Sequence, residues 1–328
     1  MLFKERLGRI AMRAVMGLAA AGALVALASC GGGTYQQQAF VPIRMIVFGD
    51  ESSHLTGPQA LKYSINEVSG ITGLTDCTLN PIWTQTVANG YGLVFSNCNP
   101  NGSFDTDAID NSVVNGTVAD VVNKVAAFQA GDTFNGNDLV VIWVGMNDII
   151  NEYKADASPD ETVLVQDMKD AGALLASQVN LIANAGAKVV ILTVPDMSYS
   201  PFAFTEAQRG DFDRAKLLSD MSTAFNVGMR SNILNDGSKI GLVLVDDLVR
   251  NGVRSPGSFS LIANPNQSYG CLDSSPLPTC TNETLRNDPA TGQPAIANFM
   301  WADATHLGST MQTQIGNSAY GRARSNPF

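Results

Sequence analysis

The chain has 328 residues, 45% of them hydrophobic and 15% charged, which is too apolar for a disordered protein. Twenty Lys and Arg against thirty Asp and Glu leave a formal charge of −10, so there is no electrostatic footprint for nucleic acid and little attraction to anionic lipid. Two histidines, His54 and His306, exclude a histidine-rich metal site by count. No Gly-x-Gly-x-x-Gly or Gly-Lys-Ser/Thr run is present, so neither a metal nor a nucleotide cofactor is expected.

Residues 1–29 read as an address rather than a fold. Lys4, Arg6, Arg9 and Arg13 precede an uncharged run of 14 residues, Ala14 to Leu27, which suits a secretory signal and is short for a bilayer span. The run ends Leu27-Ala28-Ser29-Cys30 and is followed by three glycines. This resembles the lipobox of bacterial lipoproteins, which implies lipidation at Cys30 and a membrane anchor. Gly31 rather than Asp after the cysteine implies the outer membrane, with the domain in the cell envelope. Residues 30–40 then read as a flexible tether and 41–328 as a single domain. Four cysteines remain, an even number suited to an oxidising compartment. Of three possible connectivities, the short-loop pairs Cys77–Cys98 and Cys271–Cys280 are preferred, because both lie in loop-like segments.

Four short apolar runs follow in the domain: Ile43–Phe48, Leu139–Val144, Val189–Val194 and Ile240–Val245. They lack polar alternation and read as strands buried on both faces. Between them lie helical patterns over Val118–Phe128, over Thr162–Ala185 with Gly186 as its cap, and over Glu206–Leu234 broken near Gly210 and Gly228. Strand–helix alternation predicts an α/β fold with a parallel sheet and helices on both faces. In such sheets chemistry gathers beyond the carboxyl ends of the strands. There the sequence places Gly49-Asp50-Glu51-Ser52-Ser53, then Gly145-Met146-Asn147-Asp148, then Pro195-Asp196. Near the C-terminus, Asp303 and His306 stand three apart, a spacing that lets a carboxylate orient an imidazole. The polar segment Asn264–Asn298, carrying Cys271 and Cys280, precedes this pair and reads as a lid or a stapled surface insertion.

In this order the blocks resemble the SGNH/GDSL hydrolase family of esterases and lipases. Ile46-Val47-Phe48-Gly49-Asp50 is similar to the family's first block up to its serine, and Val144-Gly145-Met146-Asn147-Asp148 to its asparagine block. Asn115-Gly116-Thr117 resembles the glycine block, and Asp303-Ala304-Thr305-His306 the last, with Leu307 where proline is frequent. The resemblance implies a flavodoxin-like three-layer α/β/α sandwich acting on carboxylic esters. It implies His306 as base, Asp303 as its orienter, and Gly116 with Asn147 in the oxyanion hole.

The departure falls at the nucleophile, where the family's serine is replaced by Glu51. A carboxylate there would attack an ester to form an anhydride, would raise the imidazole pKa by charge pairing, and would oppose an oxyanion. Three readings remain open. A one-residue shift of the turn puts Ser52 on His306 as nucleophile; Glu51 does the chemistry itself as a base on water; or the site binds without turning over. Ser52 also suits a helix cap, Asp50 and Asp148 suit loop fixing, and His54 suits a solvated loop.

Overall fold

The computed structural model describes residues 39–155, 160–210, 212–289, 291–292, 298–325 and 328. The signal segment, Cys30 and most of the tether lie outside the described residues, as does part of the Asn264–Asn298 segment.

Five strands form a parallel sheet: β1 (Arg44–Gly49), β4 (Ala108–Asp110), β5 (Asp138–Trp143), β6 (Lys188–Leu192) and β7 (Ile240–Val243), in the order β4-β1-β5-β6-β7. A small antiparallel pair, β2 (Leu55–Thr56) with β3 (Leu61–Lys62), follows the end of β1. The helices are α1 (Trp83–Tyr91), α2 (Val118–Gly131), α3 (Met146–Ala155), α4 (Glu161–Asn184), α5 (Pro201–Ala207), α6 (Arg214–Asn232), α7 (Val245–Arg254) and α8 (Ser309–Ala323). Helices α2, α4 and α6 pack together, and α8 packs on α1, α7 and strands β6 and β7, giving the three-layer α/β/α sandwich. Every residue of β5 is buried, which is why the Val/Ile-rich runs show no polar alternation.

The four apolar runs are strands as expected, and β4 is the strand of the parallel sheet that the sequence concealed, as it did the short pair β2 and β3. Strand β4 is three residues long, Ala-Ile-Asp, and joins the sheet by pairing with β1 at Met45–Val47. The expected long helix after Glu206 does break near Gly210, between α5 and α6. At Gly228 it does not break. A Cβ on Gly228 would lie 2.0 Å from the Lys169 carbonyl oxygen, and one on Gly172 would lie 2.1 Å from that of Phe225. Both glycines therefore serve the close crossing of α4 and α6, and helical packing overrides their low propensity. Both expected disulfides, Cys77–Cys98 and Cys271–Cys280, are formed.

The turn after β1 is held tightly. Gly49 has φ +153°, and a Cβ there would meet the Trp143 carbonyl oxygen at 2.2 Å. Asp50 N donates to that same oxygen at 3.1 Å, so β1 can leave the sheet only through a glycine. Gly49→Ala is expected to cost about 2 kcal/mol or more in urea unfolding; an unchanged midpoint would remove this account of the turn.

Candidate active site

Residues 51–53 form one 3₁₀ turn, capped by Asp50 Oδ1, which accepts from Ser52 N at 2.9 Å. About 120° separates successive side chains in such a turn, and the three residues accordingly face different partners. Glu51 points to the strand ends. Its Oε1 lies 2.8 Å from His306 Nε2, and its Oε2 accepts from Asn147 Nδ2 at 2.9 Å and from Asn115 N at 2.7 Å. Ser53 Oγ accepts from Trp83 Nε1 at 3.1 Å. Ser52 Oγ is buried and makes no hydrogen bond among the described residues. The shift that would bring Ser52 to His306 is therefore not taken: Glu51 holds that nitrogen.

His306 is gripped on both sides. Asp303 Oδ1 and Oδ2 lie 3.0 and 2.9 Å from Nδ1, and Oδ1 also accepts the backbone N–H groups of Thr305 and His306 at 2.8 and 2.7 Å. The loop is stapled in turn, because Ala302 N donates to the His306 carbonyl and Cys271 N to that of Ala302. The Cys271/Cys280 segment thus braces the Asp303–His306 loop from behind. Tyr63, on the chain leaving β3, lays its ring 6.2 Å from the His306 ring.

The expected oxyanion groups divide. Asn147, at the start of α3, faces the Glu51 carboxylate and also donates to Gly116 O. Gly116 does not donate to Glu51, because its N–H is taken by Val113 O at 2.9 Å. The donor facing the carboxylate is Asn115, which adopts φ +57° and so turns its N–H inward. Gly116 contributes close approach instead: a Cβ there would lie 2.7 Å from Val113 O and 3.0 Å from Gly49 O. An Asn-Gly pair is the one sequence signal for this turn. Asp148 accepts from Val118 N and anchors the start of α2.

Charge follows the same geometry. Burial pushes the His306 imidazolium down, but Asp303 and Glu51 outweigh it and hold its pKa at about 10. Burial pushes Glu51 up, yet its bond and charge contact with His306 bring it below the usual carboxylate range. Asp303 behaves likewise. Asp50, fully buried beside Glu51, is pushed well up by burial and then by that neighbouring charge. His54 is not a free loop histidine: its Nδ1 lies 3.0 Å from Asp110 Oδ2 and 3.1 Å from Ser112 Oγ. No group of three or more His, Cys, Asp or Glu among the described residues could hold a metal.

With this geometry in view, residues 53–315 match the family of GDSL-like lipases and acylhydrolases. The chain belongs to the GDSL-like lipase/acylhydrolase family. The match starts two residues after Glu51 and does not include it. A curated relative, phosphatidylcholine-sterol acyltransferase of Aeromonas hydrophila, is 26% identical over 200 residues, covering 58% of this chain and 54% of that protein. The chain thus spans about half the length of the curated relative it matches. Two solved structures are similar at low identity. A lipolytic G-D-S-L family protein from Veillonella parvula is 9% identical with TM-score 0.42, covering 85% of this chain and 96% of that one. An acetylxylan esterase from Geobacillus stearothermophilus is 12% identical with TM-score 0.43, covering 87% and 96%.

The ion row makes stability depend on pH. The folded pKa of His306, about 10, exceeds its ordinary 6.5. Its stabilisation is complete below pH 6.5 and is lost as pH rises through 10. The unfolding free energy difference between wild type and Glu51→Gln should therefore be largest just below pH 6.5 and shrink as pH rises from 6.5 to 10. A difference independent of pH would mean that His306 is not held charged by Glu51.

Proposed function

We propose that the protein is an exported hydrolase of carboxylic esters, anchored in the outer membrane through lipid on Cys30, in which Glu51 rather than Ser52 meets the ester. The observation supporting this is the 2.8 Å contact between Glu51 Oε1 and His306 Nε2, with Asp303 holding the opposite nitrogen. A serine route needs a neutral imidazole to accept the hydroxyl proton. His306, held at about 10, already carries a proton at neutral pH and is an acid rather than a base. A carboxylate needs no base to act as nucleophile.

The two suit one another in a balanced sequence. Glu51 forms a bond to the acyl carbon, the ester C–O bond breaks, and His306 Nε2 gives its proton to the departing alkoxide. The acyl group rests on Glu51 as a mixed anhydride. Neutral His306 then takes a proton from water, the hydroxide attacks the acyl carbon, and Glu51 leaves as carboxylate. One acid and one alcohol are released and His306 is again protonated. Asn147 Nδ2 and the Asn115 N–H supply the hydrogen bonds for the carbonyl oxygen.

A second reading, a relative that binds without turnover, has its own support. Both donors are already engaged by Glu51, so a carbonyl must compete with a tethered carboxylate. Hydrolysis of p-nitrophenyl acetate by the chain starting after Cys30 separates the readings. On the first, wild type turns over, Ser52→Ala is unchanged, and Glu51→Gln and His306→Ala each lose about 100-fold or more. The rate should hold up to about pH 10 and fall above it as His306 loses its proton; a rate rising through pH 6.5 would mark a serine route instead. A silent wild type with an active Glu51→Ser selects the second reading.

A further inference from the structure

The space around the Glu51 carboxylate says what it is shaped to hold. Three donors converge on its two oxygens: His306 Nε2 at 2.8 Å, Asn147 Nδ2 at 2.9 Å and Asn115 N at 2.7 Å. Three N–H groups on one carboxylate, drawn from three separate chain segments, make a receptor for that functional group rather than a chance contact. Beyond the carboxylate lies a cavity of about 20 Å³, lined by Glu51, Met146, Asn147, Ile150, Thr305 and His306. That is room for about one water molecule, or a methyl group. Its apolar wall is Met146 and Ile150, 5% and 7% exposed, set on the first turns of α3 by the strand end that also places Asn147. Ile150 is branched at Cβ and stiff, so the wall yields little on that side.

Atom count completes the comparison. The carboxyl carbon of Glu51 is three bonds from Cα, as is the acyl carbon of an ester formed on a serine side chain. The part of Glu51 beyond Cβ is a methylene and a carboxylate, the skeleton of acetate. Its charge lies among donors that a free carboxylate or a short acyl group would use equally well.

We propose that this site is a preformed receptor for acyl and carboxylate groups of acetyl size, and that Glu51 is its resident, tethered occupant. The assignment of an ester's acyl portion to this receptor rests on the hydrolase reading above. The receptor itself does not, since it follows from the donors and the walls.

Glu51→Ala removes the acetate-like fragment and leaves the donors. Acetate and hexanoate are then titrated separately into this variant, reading the His306 ring proton by NMR across pH; a chain with only two histidines makes its assignment direct by comparison with His54→Gln. In the variant alone, the His306 titration is expected to move down from about 10. Saturating acetate should move it back up, and hexanoate, with the same head group, should need at least about tenfold more ligand. Adding Met146→Ala should close that gap by opening the wall. If acetate leaves His306 unchanged, or hexanoate matches it without the Met146 change, the proposal fails. Should Glu51→Ala not fold, the same titration on Glu51→Ser decides it. Acetate binding by the variant beside a wild type that is silent on p-nitrophenyl acetate would sink the hydrolase reading while leaving the receptor in place.

Discussion

A single imidazolium between two carboxylates governs this structure. Glu51 and Asp303 lie 2.8 and 2.9 Å from opposite nitrogens of His306, and Glu51 is almost fully buried. Removing charges from water is costly, and only mutual attraction with further hydrogen bonds offsets it. The further bonds are present: Asn115 and Asn147 on Glu51, and the Thr305 and His306 N–H groups on Asp303. Remove one member and a neighbouring charge loses a partner, which is why four separate chain segments meet at one point.

The fold brings them there by ordinary sheet physics. Strands β1 and β5 are neighbours, in register from Arg44 opposite Asp138 to Gly49 opposite Trp143. Their carboxyl ends therefore release Glu51 and Asn147 side by side, as parallel sheets do at a switch in strand order. The last loop arrives from a different direction and is fixed by backbone pairing with the disulfide-bearing segment at Gly270 and Cys271. Lys62 is another buried charged residue. Its Nζ donates to the carbonyls of Cys77, Leu79 and Asn80, tying the β2–β3 pair to the loop before α1. Burial brings its pKa down to about 8.

A carboxylate at position 51 inverts the proton inventory of the site. In the serine arrangement the imidazole rests neutral and accepts a proton; here it rests charged and can only give one. The proposed chemistry comes from that inversion, whereas the proposed receptor comes from the donors and walls around Glu51. Asp50 lies beside this group, and its own carboxyl is pushed up toward the neutral form by burial and by Glu51. Three carboxyl groups and one imidazolium are thereby kept from accumulating repulsive charge in one small volume.

What the sequence determined by itself was local or compositional. Runs of Val and Ile marked four strands, the Asp303–His306 spacing marked an oriented imidazole, and loop position marked both disulfides. Each of these depends on residues near one another in the chain. Strand β4 escaped because three residues carry no pattern until β1 pairs with them. Gly228 looked like a break because propensity is local, while the carbonyl of Lys169 that requires it lies on another helix. Only tertiary structure could decide between Glu51 and Ser52, or between Asn115 and Gly116. Those choices turn on the direction of a side chain or an N–H within a tight turn. Rotation by one residue in a 3₁₀ turn changes the partner completely, and the partner, His306, stands 255 residues away.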